Sequence, residues 1–151
     1  MKLLFICTHN RCRSILCEAI ANQRGEGVLQ AASAGSAPAA SVHPLTLRYL
    51  TERGYETAGL VSQSWHDLEA FEADRVITVC DSAVGETCPI WMGTVAKGHW
   101  GLPDPSRVES NDDAVRDAFM SVIDRIEGKV DEWVFAARSG SRSDWTSLKG
   151  V

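Results

Sequence analysis

An apolar run from Met1 to Ile6, interrupted only by Lys2, stops at Cys7 and gives way to the polar string "THNRCRS". A short apolar run that ends in turn-forming residues predicts a buried strand. From Ser14 to Arg24 the apolar residues Ile15, Leu16, Ala19 and Ile20 fall on one helical face, and Gly25 and Gly27 close that helix. "VLQAASAG", residues 28–35, predicts a short second strand. Pro44 opens a helix carrying Leu45, Leu47, Tyr49 and Leu50, which Gly54 ends. "SQSWHDLEAF", residues 62–71, predicts a short helix with Ser64 at its N-cap. Arg75 to Val79 is a strongly β-branched strand that delivers Cys80 at its end, and "TVAKGHW", residues 94–100, is a fourth strand of weaker pattern. Asp112 to Phe135 predicts a long helix with Val115, Phe119, Val122, Ile123, Ile126, Val130 and Trp133 on one face, weakened at Gly128.

Strands that alternate with helices predict an α/β fold, a four-stranded parallel sheet between two helical layers. In such sheets, reactive groups gather beyond the C-terminal strand ends. Cys7 and Cys80 each follow a strand directly, and Asp104 follows another after a short loop. One domain is expected over residues 1–137. Residues 138–151 are rich in Ser, Gly and Arg and lack periodicity, which reads as a flexible or loosely docked tail.

The 151 residues carry a net charge of −5, which argues against nucleic acid or an anionic membrane as the main partner. No apolar run approaches the ~18–20 residues that span a bilayer. "MKLLFIC" lacks the apolar core and cleavage site of a signal peptide. A cytoplasmic monomer is expected. In that compartment the five cysteines read as reactive or buried thiols rather than structural disulfides.

The chemistry concentrates in "CTHNRCRS", Cys7 to Ser14. A loop between a buried strand and a helix aims several backbone N–H groups at one centre, and the helix adds the positive pole of its N-terminus. The expected oxyanion cradle comprises Thr8, His9, Asn10, Arg11, Cys12, Arg13 and Ser14. Arg13 offers two oxygens of a tetrahedral anion a planar, two-pronged contact. Cys7 lies in the resulting positive field, which favours the nucleophilic thiolate. Ser14 would donate to that thiolate, and Asn10 would fix the loop. Arg11 reads as a solvated surface arginine, with a contribution to the positive field as the lesser reading.

"CTHNRCRS" resembles the C-x5-R-S loop of the low-molecular-weight tyrosine phosphatases, and "SAG" at Ser33 to Gly35 and "LPDPS" at Leu102 to Ser106 recur in that family's order. "ITVCDSAVGETCP" followed by "HWGLPDPS" resembles the arsenate reductases built on the same fold. The resemblance covers residues 1–136 and implies Asp104 as the general acid, with Pro105 stiffening its loop. Phosphatases of this fold usually follow the Asp-Pro pair with tyrosines that hold an aromatic substrate. Here Ser106 and Arg107 follow, which argues against phosphotyrosine.

The resemblance further implies a relay of thiols. Cys7 attacks arsenate, Cys80 then attacks Cys7 as arsenite leaves, and Cys88 takes the disulfide from Cys7–Cys80 to Cys80–Cys88. An external thiol reductant, thioredoxin or glutathione with glutaredoxin, would reset it. No tightly bound cofactor is expected, although some relatives hold a potassium ion, and Asn10, Glu18 and Ser33 match part of that site. Cys12 reads as a passive loop thiol, with a protective disulfide to Cys7 as the lesser reading, and Cys17 reads as a packed helix residue. His9 stands where the family often has glycine and would be strained if that position has φ > 0. His99 and Trp100 read as packing. The alternatives are a phosphomonoesterase that needs only Cys7, Arg13 and Asp104, and a non-catalytic oxyanion-binding or redox-sensing module.

Overall fold

The computed structural model describes residues 1–80 and 88–139. Its sheet has four parallel strands, β1 (Lys2–Cys7), β2 (Gln30–Gly35), β3 (Arg75–Thr78) and β4 (Ala96–His99), in the spatial order β2-β1-β3-β4. Leu3 faces Ala31 on one side and Arg75 on the other, and Ile6 faces Ala34 and Thr78. A central parallel strand is covered on both faces and so reads as a continuous apolar run. Leu3, Leu4, Phe5 and Ile6 are accordingly fully buried. β4 is an edge strand with mostly exposed residues, which explains its weak sequence pattern.

Among the described residues three α-helices accompany the sheet: α1 (Arg13–Arg24), α2 (Pro44–Glu52) and α3 (Asp112–Arg138). α1 packs on β1, β2 and α3, and α2 touches α1 and α3. The apolar face expected for α3 is buried from Phe119 to Trp133. Trp133 stacks on Phe5 at 6.4 Å and meets Trp100 edge-on at 6.0 Å, tying the last helix to the sheet centre and to the chain after β4. Asn111 caps α3 by accepting the Ala114 N–H at 2.8 Å, and Asp112 and Asp113 favour the positive end of the helix. The helix continues past Phe135 to Arg138, and residues 140–151 of the expected tail lie outside the described residues.

Residues 62–71 do not form an α-helix. They fold as a 3-10 turn over Trp65–Phe71, with Ser64 as the expected cap accepting the His66 N–H at 3.2 Å. Trp65 and Leu68 are buried three positions apart, the spacing that a 3-10 turn places on one side. No helix among the described residues is long and apolar enough to cross a membrane.

From β1 the chain passes to β2 on one side and later to β3 on the other. The C-terminal ends of β1 and β3 therefore flank the switch point, where open α/β sheets form a crevice. Backbone bonds extend the pairing beyond β3. Val79 N–H donates to Ile6 O at 2.9 Å, Trp100 N–H to Thr78 O at 2.7 Å and Leu102 N–H to Val79 O at 3.0 Å. These bonds bring Cys7, Cys80 and the approach to Asp104 to one edge of the sheet.

Candidate active site at the strand ends

The loop between β1 and α1 turns its carbonyls outward. Thr8 O accepts from Ala37 N–H at 2.8 Å, His9 O from Ala39 N–H at 2.9 Å, and Arg11 O from His43 N–H at 3.0 Å. In a trans peptide the N–H points opposite to the C=O. The N–H groups of His9, Asn10 and Cys12 therefore face away from these neighbours, toward the loop's inner side. Gly35, at the end of "SAG", makes room for this arrangement. A Cβ there would lie 2.5 Å from Thr8 O and 2.9 Å from Cys7 O. The left-handed residue of the loop is Asn10, with φ of 47°, and not His9. The strain conceived for His9 is therefore absent, and asparagine is among the residues that tolerate this conformation.

A chain of hydrogen bonds reaches Cys7 from behind. Asn10 Oδ1 accepts the Gln63 backbone N–H at 2.8 Å, which fixes the direction of the amide. Its Nδ2 donates to Ser14 Oγ at 2.8 Å and to Ser33 Oγ at 2.9 Å. Ser33 in turn donates to Glu18 Oε1 at 2.8 Å. Because Ser14 Oγ accepts from Asn10, its own proton is free for Cys7 Sγ, 2.9 Å away. Ser14 is thus set as a donor to the sulfur. Burial raises Glu18 above the ordinary carboxylate range, opposed by its bond from Ser33.

The loop borders a cavity of about 540 Å³ lined by Cys7, Thr8, His9, Arg11, Cys12 and Arg13 from its own residues. His43, Asp104, Ser106 and Arg107 complete the lining. Arg13 begins α1 and donates through Nη1 to Leu102 O at 3.1 Å, while its Nη2 lies 3.6 Å from Asp104 Oδ2. Arg107 Nε lies 3.5 Å from the same oxygen. Asp104 Oδ1 accepts from Ser106 N–H at 3.0 Å and from Ser106 Oγ at 2.6 Å. Cys7, Arg13 and Asp104, 97 positions apart along the chain at the extremes, therefore line one cavity. His43 is the lining residue that the sequence reading missed. Its only local signal was its place before Pro44 at a helix start. Ser106 and Arg107 had been noticed only for what they replace.

Cys80 is buried, and its Sγ lies 3.8 Å from the Thr8 hydroxyl, next door to Cys7 in the loop. Cys88 is half-buried and borders a different cavity, of about 580 Å³, with His66, Glu69, Pro89, Ile90 and Trp91. None of the five cysteines is in a disulfide, and the segment joining Cys80 to Cys88 lies outside the described residues. Burial pushes the Cys12 thiol up to about 12, with Asp104 and Cys7 adding to it against the Thr46 bond and Arg13. Cys17 is raised well above the ordinary thiol value, again chiefly by burial. At neutral pH burial therefore favours the protonated thiol at both.

The structure brings Asn10, Glu18 and Ser33 together, but as hydrogen-bonding partners of one another. Asn10 presents its NH2 to Ser33 and spends its oxygen on Gln63, so its amide turns a donor and not a ligand oxygen to the other two side chains. The trio as arranged does not fit a potassium cage, and no chemistry here is routed through one. Among the described residues no group of three His, Cys, Asp or Glu side chains could hold a metal.

A thiol over a helix N-terminus, an arginine on the first helical turn and an acid across the mouth define a phosphatase-type loop. The chain belongs to the low molecular weight phosphotyrosine protein phosphatase family, whose model matches residues 2–142. Within it, the chain is similar to arsenate reductases. It is 29% identical to the arsenate reductase of Bacillus subtilis over 87% of this chain and 93% of that protein. It is 31% identical to the glutaredoxin arsenate reductase of Synechocystis, over 69% of this chain and 78% of the relative. Its backbone matches the thioredoxin-dependent arsenate reductase of Corynebacterium glutamicum with a TM-score of 0.69 and 27% identity. That match covers 93% of this chain but 63% of the other.

Proposed function

We propose that the protein is an arsenate reductase that spends the electrons of its own thiols and is reset by an external thiol reductant. The observation that carries this reading is the placement of a second buried thiol, Cys80, against Thr8 at the edge of the loop that holds Cys7. A phosphatase needs only the first. The similarity to arsenate reductases supports the same reading.

In the proposed reaction, arsenate occupies the cavity with its oxygens on the loop N–H groups and on Arg13. Its arrival draws Arg13 from Asp104 and leaves Asp104 Oδ2 facing the outer oxygen. The Cys7 thiolate, held by the Ser14 hydroxyl, forms a bond to arsenic. A hydroxyl departs as water with a proton from Asp104. The Cys80 sulfur then attacks the Cys7 sulfur. The S–As electron pair stays with arsenic, which leaves as arsenite, reduced from As(V) to As(III), and Cys7 and Cys80 are oxidised to a disulfide. Cys88 attacks Cys80 and frees the Cys7 thiolate. A dithiol protein of the thioredoxin or glutaredoxin type, or glutathione, reduces the Cys80–Cys88 disulfide.

Cys80→Ser and Cys88→Ser test it in two assays, thiol-coupled arsenate reduction and aryl-phosphate hydrolysis. Sustained reduction is expected to vanish in both variants, with hydrolysis largely kept. Unchanged steady-state reduction in both would refute the relay. Hydrolysis without any reduction by the intact protein would make it a phosphomonoesterase, and turnover of neither substrate a binding module.

A further inference from the structure

We infer that His43 is a further oxyanion-binding residue, presenting an Nε2–H donor to the cavity from the N-terminus of α2. This rests on the oxyanion reading of the loop and adds a residue from a different element. His43 is the N-cap of α2, and its Nδ1 accepts the Leu45 backbone N–H at 3.1 Å. A backbone N–H can only donate, so Nδ1 carries no proton and the neutral ring must carry it on Nε2. The tautomer is set by the fold. With Nδ1 turned to the helix end, Nε2 is the ring nitrogen left for the cavity that His43 lines with Cys7, Arg11, Arg13 and Asp104.

The position is rigid at both ends. His43 N–H donates to Arg11 O at 3.0 Å, and Thr46 donates its hydroxyl to the same carbonyl at 3.2 Å, so the start of α2 is bolted to the loop. Burial first and the Arg11 guanidinium second hold the imidazole below its ordinary range, against the pull of Asp104. The ring is therefore neutral at pH 7 and still a donor, so its contact does not depend on carrying charge. His9, on the same rim, is wired the opposite way. Its Nδ1 faces Ala37 O at 3.1 Å, and a carbonyl can only accept. Nδ1–H is therefore the donor, so His9 carries a proton on the nitrogen that His43 leaves bare. Two histidines at one mouth thus differ in their hydrogen-bond wiring.

The test is phosphate and arsenate binding by calorimetry, with the intact chain and its thiols reduced. In His43→Ser the hydroxyl keeps the helix cap and the ring is gone. Its phosphate Kd is expected to rise about fivefold to tenfold, the loss of one hydrogen bond to a charged acceptor, with Tm near that of the native protein. His43→Ala loses the cap as well and should show the same Kd together with a lower Tm. The Kd ratio should be equal at pH 7 and pH 8, with Arg11 and Asp104 the charged groups that bear on the ring. Long-range proton–nitrogen spectra should show His43 with Nδ1 bare and Nε2 protonated, the Nε2 signal moving when phosphate is added. Native affinity in His43→Ser, or a protonated Nδ1, would overturn the inference while leaving the loop reading intact. A native protein that binds neither anion would overturn both.

Discussion

The two thiols that end neighbouring strands, Cys7 after β1 and Cys80 after β3, are equally buried yet held in different ways. Cys7 leads into a helix and is backed by a fixed chain through Ser14, Asn10, Ser33 and Glu18. Cys80 meets that assembly through a 3.8 Å contact to Thr8, and the chain beyond it leads to Cys88 on another cavity. The difference matches the work proposed for each. A nucleophile that must meet one bound anion gains from preorganisation, because the cost of orienting it is met in folding. A thiol that must bond first to one sulfur and then to another cannot be fixed to either.

Gly35→Ala should break the Cys7 end most severely. The added Cβ meets the backbone oxygens of Thr8 and Cys7, which cannot rotate away as a side chain would. A loss of about 3 kcal/mol in urea unfolding is expected, at the upper end for overpacking. Anion binding should be lost with it. Native stability and binding in this variant would show that the loop is looser than its hydrogen bonds imply. Asn10→Ala should come next. It removes two donations and one acceptance and forces alanine to φ of 47°. About 2–3 kcal/mol should be lost. Alkylation of Cys7 by iodoacetamide should slow, while Cys80 is left as it was.

Glu18→Gln sharpens the comparison at the far end of the Cys7 chain. Burial raises Glu18 in the folded state, so above the ordinary carboxylate value the native protein holds its proton longer than the unfolded chain does. Native stability should therefore fall as pH rises through the window between the two values. Glutamine keeps an oxygen for Ser33 without the charge. In urea titrations at pH 4.5, 6 and 8 the variant should lack that decline and stand above the native protein at pH 8. The smallest effect is expected from Gly128→Ala. It lies inside α3, where a Cβ meets nothing within 4 Å, away from both thiols. Helix propensity predicts a gain of about 0.5–1 kcal/mol in unfolding free energy with reduction rates unchanged.

Much of this was legible in the chain itself. Leu3 to Ile6 are apolar without interruption because a central parallel strand is buried on both faces, and α3 announces itself through a face that stays in phase from Phe119 to Trp133. The spacing of Cys7, Arg13 and Ser14 is local, since a strand, a turn and the first helical residues fix their relation whatever surrounds them. Residues 62–71 were legible as a short helix capped by Ser64 but not as a 3-10 one, because apolar residues three apart fit a 3-10 turn as well as an α-helix.

The sequence by itself determined the alternation of strands and helices, the anion loop and which residues carry reactive groups. Those follow from backbone geometry and periodicity within a dozen residues. Only the tertiary structure decided that Cys80 reaches Thr8, that Gly35 lies under the loop, that the left-handed residue is Asn10 and that His43 joins the mouth. Those are distances between segments far apart in the chain. They exist because the order β2-β1-β3-β4 sets the ends of β1 and β3 side by side and ties the start of α2 to the loop, which no local pattern encodes.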